Sequence, residues 1–187
     1  MTSPQTAARI LGHYGKGALW AMHSRAVADA ALLLGQTLPP CQKVDMGSLC
    51  SMALLHDIGR CVTHDPVLHG VEGYRLLTAL GHADCAFICA SHVLFGLDAA
   101  EAVRFGLPEQ DFLPVSMEQR LVSLADLLIE GVRPTTLERR FSSLRIRNEG
   151  NDWFLARLDK AYDKALAFRH WLEKKTTRSV AGFFPLF

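Results

Sequence analysis

The sequence lacks any Cys-x-x-Cys spacing, which argues against a zinc ribbon or a redox pair. Its five cysteines are odd in number and are spread through apolar stretches. Cys85 and Cys89 are one helical turn apart and could in principle clamp a metal ion. The simpler interpretation, small buried side chains in a reducing compartment, is favoured.

Long uninterrupted apolar runs and a strong net charge are also absent. The longest apolar region, 18–34, is interrupted by His23, Arg25 and Asp29, so it does not predict a membrane span. The first five residues lack the basic start and apolar core of a signal peptide, and a cytoplasmic location is expected. A net charge of +1 argues against general binding of nucleic acid or an anionic membrane, but it allows a local phosphate site.

No segment shows the period-two alternation of a half-buried β-strand, and helical spacing dominates instead. A length of 187 residues with 49% hydrophobic residues suits one domain with a single core. We therefore expect an all-α, single-domain helical bundle over 1–187. Its core should span about 18–131, with C-terminal helices at 135–175 packed against it. The apolar tail, 180–187, should fold back on the core or dock on a partner chain.

Capping residues, glycines and prolines mark the ends of the individual helices. Asp45 predicts one helix start, and Ser116 with Gln119 three residues later predicts a capping box at another. The predicted helices cover approximately 4–11, 18–34, 46–57, 69–80, 83–93, 98–105, 117–130, 135–147 and 152–175.

The most informative stretch is Leu-Leu-His-Asp-Ile-Gly-Arg at residues 54–60. It places two metal-binding side chains, His56 and Asp57, side by side at the end of an apolar helical segment. Burying a neutral polar group without a partner costs about 2–7 kcal/mol, and a lone carboxylate costs more. The pair therefore indicates that a cation holds these side chains.

Three further residues lie on apolar helical stripes, as the His-Asp pair does. His23, His92 and Asp126 have apolar neighbours at three- and four-residue steps, which predicts that they face inward. A single inward histidine is usually a hydrogen-bonded core residue, and Arg25 or Arg120 could pair with Asp126. Four such positions on four separate helices favour a shared divalent cation at the centre of the bundle.

This ordered set resembles the HD-domain superfamily of metal-dependent phosphohydrolases, and most closely its small single-domain branch with the His-Asp-Ile-Gly signature. The resemblance spans about 18–131 and includes Ser-Leu-Ala-Asp-Leu-Leu around Asp126. The ligands that it implies are His23, His56, Asp57 and Asp126 for a first ion, with His69 and His92 added for a second. Asp57 would bridge both ions through its two carboxylate oxygens, and His64 is a rival for His69.

Two departures from the superfamily pattern bear on the substrate. Arg60 follows His-Asp-Ile-Gly at a position where cyclic-dinucleotide phosphodiesterases often have lysine. Ser91-His92-Val93 replaces the His-His pair of that branch, and its Gly-Tyr-Pro motif is missing. A cyclic dinucleotide is therefore disfavoured as the substrate.

The resemblance implies hydrolysis of a phosphate ester, in a nucleotide or another small phosphorylated metabolite, through metal-activated water. Asp57 and Asp126 would hold the ions, Arg60 would pair with a phosphate oxygen, and His64 would donate a proton. Arg60 could instead neutralise the helix C-terminus, and His64 could be an exposed loop residue. One or two ions of Fe, Mn, Co, Ni or Zn are expected, because mixed His and Asp ligands accept all of these metals.

Two other functions stay open at this point. Some relatives with the six-ligand set use a di-iron centre to activate oxygen, so an oxygenase is one alternative. A non-catalytic sensor that binds a nucleotide or metal and signals through a partner surface, such as the tail, is the other. The oligomeric state is also open, and a homo-oligomer is compatible with the sequence.

Overall fold

The structure is a computed structural model that describes residues 1–176, 179 and 180. Within these residues it contains nine α-helices, three short 3-10 turns and one hairpin of two-residue strands. The expected all-α class is confirmed. The helices are α1 (Pro4–Gly15), α2 (Leu19–Thr37), α3 (Met46–Leu55), α4 (Leu68–Ala79), α5 (Ala83–Ser91), α6 (Ala99–Arg104), α7 (Met117–Leu128), α8 (Leu137–Arg147) and α9 (Asp152–Thr176).

Side-chain caps start the helices where the sequence indicates. The Asp45 carboxylate accepts hydrogen bonds from the backbone N–H groups of Gly47 and Ser48, each at 2.9 Å. The Ser116 hydroxyl accepts from the Gln119 N–H at 3.2 Å, and the Gln119 side chain accepts from the Ser116 N–H at 3.1 Å. These bonds satisfy N–H groups that have no partner within the helix, so the local sequence determines where α3 and α7 begin.

One main hydrophobic core receives side chains from all helices except α6. Helix α2 packs against α3 and α7, α1 packs against α3, and α4 packs against α5. Leu137 of α8 and Leu158 of α9 belong to this core together with Leu55 and Leu124 from the centre of the bundle. The C-terminal helices therefore share the apolar interior of the preceding segment.

Two element boundaries differ from the sequence expectation. Helix α3 ends at Leu55 and not at residue 57, and a 3-10 turn, Ile58–Cys61, follows. Helix α7 ends at Leu128, where a strand, Ile129–Glu130, pairs antiparallel with Arg133–Pro134. Strands of two residues are too short to produce an alternating pattern, which explains why the sequence did not reveal them.

A strained turn follows α5. Leu94, Phe95 and Gly96 have φ values of 50°, 57° and 107°, which is the left-handed region that disfavours non-glycine residues. For a non-glycine residue this conformation costs about 1–3 kcal/mol, and it persists only where the surrounding structure imposes it. Arg157 of α9 donates a hydrogen bond from Nη2 to the Gly96 carbonyl at 2.7 Å. Helix α9 therefore stabilises the turn that directly follows His92.

The buried cysteines behave as small core residues. Cys85 and Cys89 are buried and free, and the Cys89 Sγ donates to the Leu55 carbonyl at 3.3 Å. Burial raises the pKa of the Cys85 thiol to about 12. A protonated thiol is a poor metal ligand, so these cysteines suit packing better than metal binding.

The predicted fold-back of the apolar tail falls mostly outside the described residues. Val180 is described, is 2% exposed, and donates its N–H to Glu173 Oε1 at 2.9 Å. Among the described residues, no helix combines the length and the apolar character needed to cross a membrane.

Candidate metal centre

The structure brings the six expected ligand residues together at one point inside the bundle. They come from different parts of the chain, and five of them are buried while the sixth is partly exposed. Their positions are His23 in α2, His56 and Asp57 just after α3, His69 in α4, His92 just after α5, and Asp126 in α7.

Four histidines are oriented in the same way, by a backbone carbonyl that faces Nδ1. The Nδ1 atoms of His23, His56, His69 and His92 lie 2.7, 2.7, 2.8 and 3.0 Å from the carbonyl oxygens of Gly131, Ala53, Asp65 and Ile88. A carbonyl oxygen can only accept, so each Nδ1 carries the proton and donates. In the neutral ring Nε2 is then an acceptor, which is the arrangement found in metal-ligating histidines.

The free Nε2 atoms converge on the two carboxylates. His23 Nε2 lies 2.9 Å and His56 Nε2 lies 3.7 Å from Asp126 Oδ1. On the other side, His69 Nε2 and His92 Nε2 lie 3.1 and 3.5 Å from Asp57 Oδ1. Ligands about 2.0–2.2 Å from one ion are separated by distances of this size.

Several of these atoms have no partner that could satisfy them. His56 Nε2 and Asp57 Oδ1 are buried and lack a hydrogen-bond partner among the described residues. His69 Nε2 and His92 Nε2 face each other at 3.2 Å, although neutral rings with protonated Nδ1 present two lone pairs there. Buried acceptors directed at one another are costly without a cation between them, so the residues fit a metal ion.

The two oxygens of Asp57 have different neighbours. Oδ1 faces the histidines, and Oδ2 accepts a hydrogen bond of 2.5 Å from Arg60 Nε. The resemblance implied that both oxygens would bind metal. The structure shows Oδ2 paired with Arg60, so Oδ1 is the oxygen that is placed to contact a cation.

Both carboxylates are held in the ionised form. Burial by itself would raise the pKa of Asp57, but two histidines and the Arg60 guanidinium outweigh it and hold that pKa well below its usual value. The pKa of Asp126 is also well below its usual value, because its interactions with His23 and His56 outweigh burial. Two buried negative charges provide the electrostatic attraction that a divalent cation requires.

The pKa values of two of the imidazoles are shifted in opposite directions. Burial lowers the pKa of His69, and the neighbouring carboxylate only partly offsets this effect. Burial also disfavours charged His23, but its hydrogen bond and charge interaction with Asp126 prevail and raise its pKa. A neutral His69 can offer Nε2 to a metal near pH 7.

The remaining expected residues lie at the entrance of the centre. A cavity of about 270 Å³ opens beside the ligands, and Arg60, His64 and His23 are among its lining residues. His64 is exposed, whereas His69 is buried beside Asp57. Between these rivals, His69 lies beside the other expected ligand residues and His64 lies at the entrance.

Arg140 of α8 is a residue that the sequence reasoning missed. It lines the same cavity, and its Nη2 lies 4.0 Å from Asp126 Oδ1. The sequence suggested Arg25 or Arg120 as partners of Asp126, but Arg120 instead donates to the Pro114 carbonyl at 3.1 Å. A signal was present, because Arg140 comes three residues after buried Leu137 and therefore lies on the inner side of α8.

An all-α fold with a buried centre of four histidines and two aspartates defines a helical protein with a candidate metal site. The family model described as HD domain matches residues 20–130, which are more than half of the chain. The chain therefore belongs to the HD domain family, as the sequence resemblance predicted. Proteins of this family bind divalent metals, and the grouped histidines and aspartates could hold one.

Three relatives resemble part of this chain. The uncharacterized protein MJ0778 of Methanocaldococcus jannaschii is 38% identical over 97 residues, which are 51% of this chain and 57% of the relative. The tRNA (cytidine(56)-2'-O)-methyltransferase of Thermoplasma volcanium is 28% identical over 137 residues, 73% of this chain and 39% of that protein. The enzyme of the same name from Picrophilus torridus is 28% identical over 127 residues, 67% of this chain and 36% of that protein.

The matched region thus spans between 36% and 57% of the length of these relatives. No solved structure matches the chain significantly.

Proposed function

We propose that this chain hydrolyses a phosphate ester, in a nucleotide or another small phosphorylated metabolite, with one or two divalent metal ions. The observation that carries the proposal is the convergence of histidine Nε2 atoms and two carboxylates on one point inside the bundle. Membership of the HD domain family supports it. A cytoplasmic location and a small phosphorylated substrate are parts of the same proposal.

The six ligand residues would divide between two ion positions. His23, His56 and Asp126 group on one side, and Asp57 with His69 and His92 groups on the other. A divalent ion in such a centre lowers the pKa of bound water from 15.7 to about 7 and offsets charge on the phosphoryl oxygens. The surrounding helices keep the centre buried, with access from the cavity that opens beside it.

Arg60 and His64 would act on the substrate itself. Arg60 uses Nε to hold Asp57, and its two terminal nitrogens make no hydrogen bond to the described residues. Those nitrogens can donate to a phosphate oxygen while Nε keeps the carboxylate in position. His64 lies exposed on the cavity wall, where an imidazole can give a proton to the departing oxygen.

The names of two relatives bear on the range of substrates. They are tRNA (cytidine(56)-2'-O)-methyltransferases, and the chain matches 39% and 36% of their lengths. A net charge of +1 does not favour general binding of nucleic acid. The set of candidate substrates to be assayed, referred to below as the panel, nevertheless contains RNA ends that carry a phosphate as well as nucleotides and sugar phosphates.

A di-iron oxygenase is the second candidate function, because all six ligand residues are present and close together. Hydrolysis requires no change in the oxidation state of the metal, whereas an oxygenase needs iron and consumes O₂. Strict dependence on iron together with O₂ uptake would favour the oxygenase.

The test begins with elemental analysis of protein purified without added metal. Phosphate release is then measured across the panel after removal of metal and addition of Fe, Mn, Co, Ni or Zn, one at a time. We expect release that depends on the added ion and stops when a chelator is present. Absence of release from every substrate with every ion would contradict the hydrolase.

A further inference from the structure

Two arginines that belong to different secondary-structure elements border the candidate metal centre. Arg60 belongs to the 3-10 turn after α3, and Arg140 belongs to α8. Both line the cavity of about 270 Å³ beside His23 and Asp57. Both also line a smaller cavity of about 80 Å³ on the side of His69. The two guanidinium groups therefore flank the space in front of the ligands.

The Arg140 side chain is almost buried, yet it makes no hydrogen bond within the described part of the chain. It is 11% exposed, and its Nε is fully buried without a partner. The nearest carboxylate oxygens, Asp126 Oδ1 and Glu130 Oε1, lie 4.0 and 3.9 Å from its terminal nitrogens. A buried guanidinium is costly when its donors are unpaired, so this position favours an anion that these contacts do not supply.

Glu130 does not satisfy Arg140 because other groups hold it. Its Oε1 accepts a hydrogen bond from the Ser143 hydroxyl at 2.7 Å and another from Arg147 Nη2. Arg147 is exposed and is oriented by Ser143, on the outer part of the same cavity wall. Arg140 is thus kept close to two carboxylates while its own donors remain available.

We propose that Arg140 binds the phosphoryl group of the substrate and forms a two-arginine clamp with Arg60 across the candidate metal centre. A guanidinium presents several donors in a planar fork that matches two oxygens of a phosphate. The clamp rests on the proposed function for the identity of the substrate. Helix α8 lies beyond the matched region, 20–130, so this phosphate contact is added by the C-terminal part of the chain.

The test uses the full chain loaded with Mn²⁺ and inorganic phosphate as the probe. Arg140→Met is compared with Arg139→Met, which removes the same charge from an exposed position on the same helix. Titration calorimetry gives the Kd for phosphate, and elemental analysis gives the manganese content. We expect Arg140→Met to raise the Kd at least about tenfold, because charge-assisted hydrogen bonds are lost. Arg139→Met should leave the Kd unchanged, and both variants should keep the manganese content of the wild type.

Arg140→Lys keeps the charge but loses the fork, so it should bind phosphate less tightly than the wild type and more tightly than Arg140→Met. If Arg140→Met does not fold, this variant decides, and wild-type affinity in it overturns the clamp. Wild-type affinity in folded Arg140→Met also overturns it. A fall in the manganese content of Arg140→Met overturns it as well, because the residue would then support the ligands instead of the substrate.

The clamp and the hydrolase can fail separately. Phosphate binding that depends on Arg140, without hydrolysis of any ester in the panel, would support the clamp and overturn the hydrolase. Ester hydrolysis with the KM unchanged in Arg140→Met would support the hydrolase and overturn the clamp. An increase in KM with little change in metal content is the expected result.

Discussion

At the scale of single residues, each ligand histidine has its own backbone acceptor, and this fixes both its orientation and its tautomer. The sequence alone placed three of these histidines on apolar helical stripes facing inward, whereas His69 was expected only from the family resemblance. Their backbone acceptors could not be predicted, because a carbonyl such as that of Gly131 leaves no trace in a pattern of side chains. Arg140 was missed because α8 contains several arginines, and its three-residue spacing from Leu137 was the one signal that set it apart from the others.

Asp57 is the residue whose loss should be most damaging to the centre. It is 2% exposed and it contacts both Arg60 and His69. We expect Asp57→Ala to lower metal-dependent phosphate release by more than about a hundredfold, because residues that only support metal ligands already cost 10–100-fold. Asp163→Ala, at an exposed carboxylate on α9, is the control and should release phosphate like the wild type. Retention of both metal and activity in Asp57→Ala would refute its assigned role.

The N-terminal segment provides a pH-dependent contact away from the site. The Asp84 carboxylate accepts from the Thr2 N–H at 2.5 Å and from the Thr2 hydroxyl at 2.7 Å. Burial opposes the ionised form, but these hydrogen bonds outweigh it and lower the pKa of Asp84.

A lowered folded-state pKa means that the unfolded chain binds the proton more tightly, so the contribution to stability is present above the unfolded pKa of about 3.9. It is lost as the pH falls through the lower pKa of the folded state. Asp84→Asn should therefore be less stable than the wild type at pH 7, with a difference that shrinks toward pH 2. Urea denaturation of both proteins across this range measures the difference, and a gap independent of pH would rule out this linkage.

At the scale of secondary-structure elements, the turn after α3 determines where His56 and Asp57 point. The sequence predicted a helix through residue 57, but the helix ends at Leu55 and a 3-10 turn brings Gly59 against α4. Helix propensity cannot reveal this change, because it depends on the close approach of another element. The strained turn at Leu94 was equally unpredictable, since it is stabilised by a contact distant in sequence, the hydrogen bond from Arg157 of α9 to the Gly96 carbonyl.

Gly59 permits that close approach. A Cβ atom at this position would lie 1.9 Å from the His69 carbonyl oxygen and 2.4 Å from the Gly73 nitrogen, both of which are backbone atoms. We expect Gly59→Ala to lower the free energy of unfolding by more than about 3 kcal/mol, which is at the severe end for single substitutions. Gly12→Ala has no atom within 4 Å of the new Cβ and should be neutral or stabilising by up to about 1 kcal/mol. Chemical denaturation compares the two, and equal stabilities would contradict the predicted clash.

At the scale of the whole molecule, the all-α class and the family follow from the sequence, and the structure and the family match confirm both. The extent of the domain remains a prediction. Leu137 and Phe141 of α8 and Phe154 of α9 lie in the same core as the earlier helices, although they follow the matched region. Composition alone could not show that α8 and α9 share one core with the earlier helices, because this depends on packing between residues far apart in the sequence.

A shared core predicts that the C-terminal helices are needed for stability. A chain that ends at residue 134 would expose the apolar surface that α8 and α9 now cover, at about 25 cal/mol per Å² of apolar area. We expect this shortened chain to lose its cooperative thermal transition in circular dichroism. A transition at the melting temperature of the full chain would show instead that 1–134 is an independent domain.

The most direct test of the central claim is a crystal structure of the metal-loaded protein with anomalous diffraction at the absorption edge of the metal. We predict an anomalous peak among His23, His56 and Asp126, and a second peak beside Asp57, His69 and His92 when two ions are bound. Anomalous peaks only at other positions, or none in protein shown to be metal-loaded, would contradict a metal centre at this site.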